Sequence, residues 1–233
     1  MRLDRYVAEA AQISRADAKA AVRAGRVRVA GEVCRQPQRP LAGEAVALDG
    51  RPLAHETFVY LMLDKPAGVV SASADGRCTT VVDLVRGAYP RRNLFPAGRL
   101  DKDSTGFVLL TDDGAFAHDI LSPAKHVPKT YEVLLDTPLT QAMVEGFSAG
   151  VTLADGQTMR PAQLSPGTGG ACSARVVLTQ GVYHQIKRMF GVYGAGVVAL
   201  RRTAIGGLAL DGTLGPGGFR PITPDELRRL REG

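Results

Sequence analysis

From Phe58 onward the chain is cut into many short apolar or alternating stretches, parted by turn residues and a few helical segments. There is no regular alternation of strand and helix. That pattern argues against a doubly wound parallel sheet and for an α+β domain on a mixed or antiparallel sheet. Phe58 to Leu63 reads as a central strand, with Asp64-Lys65-Pro66-Ala67-Gly68 turning the chain out of it. Lys129 to Leu135 alternates as a strand, and Val151–Leu153, Ala174–Leu178, Gly196–Leu200 and Leu208–Leu210 add extended segments. Helices are predicted at Thr80–Val85, at Gly114–Leu121 before a Ser122-Pro123 stop, and at Gln141–Phe147, ending near Gly150. Another runs from His184 to Tyr193, with Ile186, Met189 and Phe190 on one side, and Pro224 opens the last.

Within this region one turn is unusually charged. Gly98-Arg99-Leu100-Asp101-Lys102-Asp103-Ser104-Thr105-Gly106 feeds straight into Phe107 to Leu110, an apolar run short enough to be a buried strand. A buried strand is a rigid platform, and the turn at its mouth can present a carboxylate accurately. Taken alone, Asp101 is either that reactive group or the structural partner of Arg99.

Residues 1–52 have a different character, and residues 53–58 read as a short polar connector to the larger domain at 59–233. The first 51 residues hold ten Lys or Arg against six Asp or Glu, most of the excess behind a formal net charge of +6. Leu3, Tyr6, Val7 and Ala10 recur at helical spacing, predicting a helix over Arg2–Ala11. Ser14 with Asp17 resembles a capping box for a second helix that buries Ala18, Ala21 and Val22 and stops at Gly25. Arg26 to Val33 alternates as a hairpin turned at Gly31, and Ala45–Leu48 resumes extended structure. Arg5, Arg15, Lys19, Arg23, Arg26 and Arg28 together form a candidate phosphate-contacting face, with no aromatic platform beside it.

Composition narrows the function classes. No apolar run approaches the ~20 residues that span a bilayer. Met1-Arg2-Leu3-Asp4-Arg5 has an early acid and no apolar core behind it, so it does not read as a signal peptide. Cys34, Cys78 and Cys172 form no disulfide framework or ligand pair, and the four histidines show no metal spacing, so a cytoplasmic protein without a metal is expected. There is no glycine-rich nucleotide loop, and no cofactor is expected.

Three separated motifs occur in order: Gly98-Arg99-Leu100-Asp101 with Thr105-Gly106 and Leu109-Leu110-Thr111; Lys129-Thr130-Tyr131; and Gly181-Val182-Tyr183-His184-Gln185-Ile186-Lys187-Arg188-Met189. With Leu63 to Gly68 and the closing Gly206-Gly207-Leu208, the set closely resembles the RsuA branch of the pseudouridine synthases. The N-terminal pattern resembles an S4 domain, a small RNA-binding module. The Tyr-His form of the third motif is most similar to the member that modifies one uridine of 16S rRNA; relatives acting on large-subunit rRNA tend to carry Asn-Arg there.

The resemblance implies an S4-like domain followed by a synthase domain, acting without cofactor on 16S rRNA or a small-subunit assembly intermediate, as a monomer. It casts Asp101 as the attacking group, at either the base or the ribose carbon. Tyr131 would stack on the flipped uracil and assist proton transfer, Lys187 would pair with Asp101, and Arg99 would hold the flipped-out nucleotide. Val182 stands where the family often has a basic residue, so one phosphate contact is lost or passes to Arg188. Alone, Tyr131 would read as core, Lys187 and Arg188 as a solvated helix face, and His184 as a hydrogen-bonding residue. The chemistry favours these residue types independently. Breaking the glycosidic bond needs an ionised nucleophile or base in a dry site; burial raises a carboxylate's pKa and an adjacent cation lowers it again. The competing readings are a synthase for 23S rRNA and a non-catalytic rRNA-binding assembly factor.

Overall fold

A computed structural model of the chain describes residues 1–53, 58–122 and 125–232. The fold separates into two compact units: Met1–Phe58 with Arg86–Asn93, and Val59–Val85 with Leu94–Gly233.

The N-terminal unit opens with α1 (Leu3–Ala10) and α2 (Arg15–Arg23). Ser14 begins α2 by accepting from the Asp17 N–H at 2.9 Å, which satisfies a backbone donor the helix cannot. The apolar stripes of both helices, Leu3, Val7, Ala18, Ala21 and Val22, pack with Val27, Val29 and Val46 into one core. β1 (Val27–Val29) and β2 (Glu32–Val33) form the expected hairpin, turned at Ala30 and Gly31, both with positive φ. β3 (Val46–Leu48) and β4 (Arg51–Leu53) complete a sheet in the order β2-β1-β3-β4. The polar connector expected over residues 53–58 thus begins inside a strand, because Leu53 ends β4 paired with Val46. Its middle, residues 54–57, lies outside the described residues.

The second unit is built on a nine-stranded mixed sheet. Its strands are β5 (Tyr60–Lys65), β6 (Phe95–Pro96), β7 (Thr105–Thr111), β8 (Lys129–Leu135), β9 (Gln163–Pro166), β10 (Ser173–Leu178), β11 (Val197–Ile205), β12 (Leu208–Ala209) and β13 (Phe219–Pro221). The main path runs β13-β5-β7-β11-β8-β10-β9, with β6 beside β7 and β12 beside β11. Every pairing is antiparallel except β7 with β11. Among the described residues four helices accompany it: α3 (Gly114–Leu121), α4 (Gln141–Ala149), α5 (Gln185–Gly191) and α6 (Pro224–Arg229). α3 is started by Asp113, which accepts from Phe116 N–H, and ends at Ser122; the Pro123 of the expected stop is outside the described residues. Phe116 and Ile120 of α3 join Met62, Phe107, Leu109, Ile205 and Leu230 in one apolar cluster. Among the described residues no helix is long and apolar enough to cross a membrane.

Several elements differ from the sequence expectation. β5 continues through Asp64 and Lys65 and lies next to the edge, because β13, three residues with a proline, covers its outer side. Thr80 makes an isolated bridge with Val70 and Val81–Val85 is a run of turns: Thr80 and Asp83 exchange three side-chain and backbone hydrogen bonds, which compete with helical pairing. Val151–Leu153 makes an isolated bridge, Thr152 with Thr158, instead of a strand.

Candidate active site

Asp101 sits on the turn entering β7, and that turn is clamped from beneath. Lys65, fully buried at the end of β5, donates through Nζ to the carbonyl oxygens of Ser104 (2.7 Å), Pro66 (3.0 Å) and Lys102 (3.2 Å). The Gly68 N–H donates to Lys102 O at 2.7 Å. Ser71 Oγ holds the residue before Asp101 at both ends, accepting from Leu100 N–H and donating to Leu100 O, each at 3.0 Å. Burial lowers the Lys65 ammonium to about 8, against the opposing pull of the Asp103 and Asp101 carboxylates. The lysine is a fixing point for the turn, with its nitrogen committed to backbone oxygens.

On the other side stands α5 with its leading loop. Gln185, almost fully buried, accepts from Val182 N–H at 3.2 Å and ties the loop down. His184, the residue before α5, adopts the left-handed conformation at φ +50°, uncommon outside glycine. Its Nε2 lies 3.5 Å from Asp101 Oδ1. Lys187 Nζ lies 3.4 Å from Asp101 Oδ2, so the expected pair is brought together, but its hydrogen bonds go to both oxygens of Asp103 at 2.8 Å. Burial works against the Lys187 charge; the Asp103 hydrogen bond and charge, with Asp101 behind them, outweigh it and hold the ammonium above its ordinary value. The Lys187 hydrogen bond in turn holds Asp103 below the usual carboxylate value. Sequence reasoning passed over Asp103, whose place two residues beyond Asp101 in a tight turn was the available signal.

Tyr131 lies elsewhere on the sheet. In register across the strands run Lys65 of β5, Gly106 of β7, Arg202 of β11 and Tyr131 of β8. Tyr131 therefore stands two strands from the Asp101 turn and makes no hydrogen bond or ion pair with Asp101, Lys187 or His184. Its ring is buried, and its hydroxyl has no partner among the described residues. Between them, Arg202 donates from Nε to Phe107 O at 2.7 Å, while its buried Nη2 has no partner. Gly106 is forced by this neighbour: a Cβ there would lie 2.2 Å from the Arg202 carbonyl oxygen, and its φ is +100°.

The expected RNA-contacting residues divide. Arg99 is exposed and unpaired among the described residues, whereas Arg188 is engaged by Asp155. In the N-terminal unit Arg5 pairs with Glu9 at 2.7 Å, Arg15 with Asp4 at 3.4 Å and Arg26 with Asp49 at 2.5 Å. Arg28 donates to Gly31 O at 2.9 Å. Lys19 and Arg23 have no side-chain partner among the described residues.

A carboxylate on a rigid turn, flanked by a fixed ammonium and an imidazole, suits attack on an electrophilic carbon beside a group that can hold or pass a proton. Comparison with known proteins agrees with that chemistry. The family model for RNA pseudouridylate synthase matches residues 59–191, and that for the S4 domain matches residues 1–46. An uncharacterized RNA pseudouridine synthase of Bacillus subtilis (strain 168) is 41% identical over 100% of this chain and 99% of its own. Ribosomal small subunit pseudouridine synthase A of Escherichia coli (strain K12) is 42% identical over 97% of this chain and 98% of its own. A crystal structure of pseudouridylate synthase matches with a TM-score of 0.69 at 33% identity, covering 99% of each chain. The chain belongs to the RNA pseudouridine synthase family, an isomerase fold carrying an S4 domain at its N-terminus.

Proposed function

We propose that this protein converts one uridine of small-subunit 16S rRNA to pseudouridine, as a cytoplasmic monomer. The observation that carries the reading is Asp101, held by the Lys65 and Ser71 clamps and approached within 3.5 Å by both His184 and Lys187. The similarity over nearly the whole chain to a ribosomal small subunit pseudouridine synthase supports the choice of rRNA.

The target nucleotide leaves its stack, at a cost of a few kcal/mol, and its uracil rests on Tyr131, whose stacking returns ~1–3 kcal/mol. Asp101 attacks, at the base or at the ribose carbon, and the bond it forms is broken again before the product leaves, which returns the free carboxylate. The bond from uracil N1 to C1′ breaks, the base turns, and C5 bonds to C1′. N1 gains a proton and C5 loses one, so the reaction balances with no donor and no redox change. Tyr131, with its unpartnered hydroxyl, assists the transfer of the C5 proton. Lys187 keeps positive charge beside Asp101 throughout, and Arg99 holds the phosphate of the flipped nucleotide. The N-terminal unit grips the RNA backbone, which raises the local concentration of substrate for a tethered active site.

The test is pseudouridine mapping of a 16S transcript after incubation with the protein, with and without small-subunit proteins, and of both rRNAs in a deletion strain. A single new 16S site, absent from the deletion strain, is expected. Loss of a 23S site alone would transfer the reaction to the large subunit. Full complementation by Asp101→Asn would mark an assembly factor.

A further inference from the structure

Tyr183 is 75% exposed, more than any other large apolar side chain among the described residues. It is nevertheless held in place. Its ring stacks on the His184 imidazole with centroids 3.8 Å apart and 15° between the planes. That imidazole is the one whose Nε2 lies 3.5 Å from Asp101. One face of the Tyr183 ring is thus occupied by a group touching the reacting carboxylate, and the other has no ring partner among the described residues. The segment beneath is ordered by buried Gln185, which accepts from Val182 N–H at 3.2 Å and donates to Gln180 at 3.4 Å. The left-handed backbone of His184 sets both rings in this stack. An exposed aromatic supported in this way, stacked on a histidine that shares Asp101 with the Lys187 cation, has the features of a base-stacking platform.

We propose that Tyr183 stacks a second nucleobase of the RNA, next to the target uridine, through its free ring face. The inference rests on the RNA-isomerase reading of the same site. Tyr131 serves the flipped uracil; Tyr183 serves its neighbour and keeps the strand from closing back over the vacated position. Every base has a π face, so the contact adds affinity and register without demanding one sequence. It also contributes nothing to counterion release, which separates it from a phosphate contact.

The experiment measures binding of a 16S transcript to the Asp101→Asn chain over a range of salt concentrations, with Tyr183→Ala, Tyr183→Phe and Tyr183→Leu added in turn. Tyr183→Ala is expected to weaken binding about tenfold, within the range of one lost stacked base, with the salt slope unchanged. Tyr183→Phe should restore binding to within about twofold, and Tyr183→Leu should not. Unaltered binding by Tyr183→Ala, equal binding by Leu and Phe, or a fall in salt slope would each overturn the platform. The side chain is exposed, so none of these variants is expected to perturb folding. Pseudouridine formation by the otherwise unchanged protein is followed in parallel. Its absence on every rRNA would sink the functional reading, while normal turnover with unaltered Tyr183→Ala binding would sink the platform alone.

Discussion

Two sets of basic side chains, one in each unit, serve opposite purposes. In the N-terminal unit some lie at the surface against acids, as Arg5 does with Glu9 at 2.7 Å and Arg39 with Glu44 at 3.2 Å. In the second unit the amines of Lys65 and Lys129 are drawn inward onto carbonyl oxygens, and burial lowers both to about 8. Exposed pairs are weak and screened by salt, so a phosphate can take the place of the acid at little cost. An inward amine cannot be released without stranding the oxygens it serves. The first set is exchangeable and suited to a partner of variable sequence. The second fixes the geometry of a site that has to be the same at each turnover.

The largest effect expected is that of Asp101→Asn, which should abolish pseudouridine formation while transcript binding stays within about twofold in a filter assay. Turnover within tenfold of the parent would break the division between a gripping unit and a reacting one. Next comes Lys65→Met. It removes this donor from the Ser104 and Pro66 carbonyls, leaving Lys102 O with the Gly68 N–H alone, and should lower unfolding free energy in urea by at least about 2 kcal/mol. Wild-type stability would show that the turn needs no clamp. The pH dependence sharpens the same point. The Lys65 value is about 8 folded against an ordinary 10.5, so between those limits the unfolded chain binds the proton more tightly. Stability from this group therefore rises as pH increases through that window, and the gap between parent and Lys65→Met should widen there. A constant gap would deny the buried charge.

A smaller effect is expected from Lys19→Ala with Arg23→Ala, the unpartnered pair on α2. Each should reduce the salt slope of RNA binding by about 0.7–0.9 if it meets a phosphate. Arg26→Ala, whose guanidinium is already held by Asp49, should change the slope less. The smallest is Arg5→Ala, which should leave the thermal midpoint where it was and so mark its pair with Glu9 as exchangeable.

The three motifs proposed to form the site were legible because residue type and local order were enough to mark them: the turn before Phe107, the Lys-Thr-Tyr strand and the helix behind His184. What escaped depended on contacts distant in sequence. Nothing near Lys65 says that its amine will lie under residues 102 and 104, so it read as part of a turn when it ends a strand. β11 runs on through Arg201 and Arg202, which look like solvated residues; Arg201 instead reaches buried Asp64 at 2.8 Å, and Arg202 is itself buried. Lys187 was expected beside Asp101 and is there, yet Asp103 takes its hydrogen bonds. The approach of His184 to Asp101 needed the left-handed turn at position 184, for which histidine offers a weaker signal than glycine would.

The parallel pairing of β7 with β11 is confined to Thr105 with Arg201 and Gly106 with Arg202. The sheet is therefore two antiparallel panels hung on a short pin. One panel presents the Asp101 turn; the other carries Tyr131 and leads through β10 into α5. If Asp101 and Tyr131 hold the uracil between them as proposed, their spacing is set at that pin, by how closely the backbone of Arg202 can approach residue 106. A single methyl group there, as in Gly106→Ala, would act as a wedge between the panels. It would enlarge the distance between Asp101 and Tyr131 without touching either, a fault of alignment in which all the chemical groups remain present.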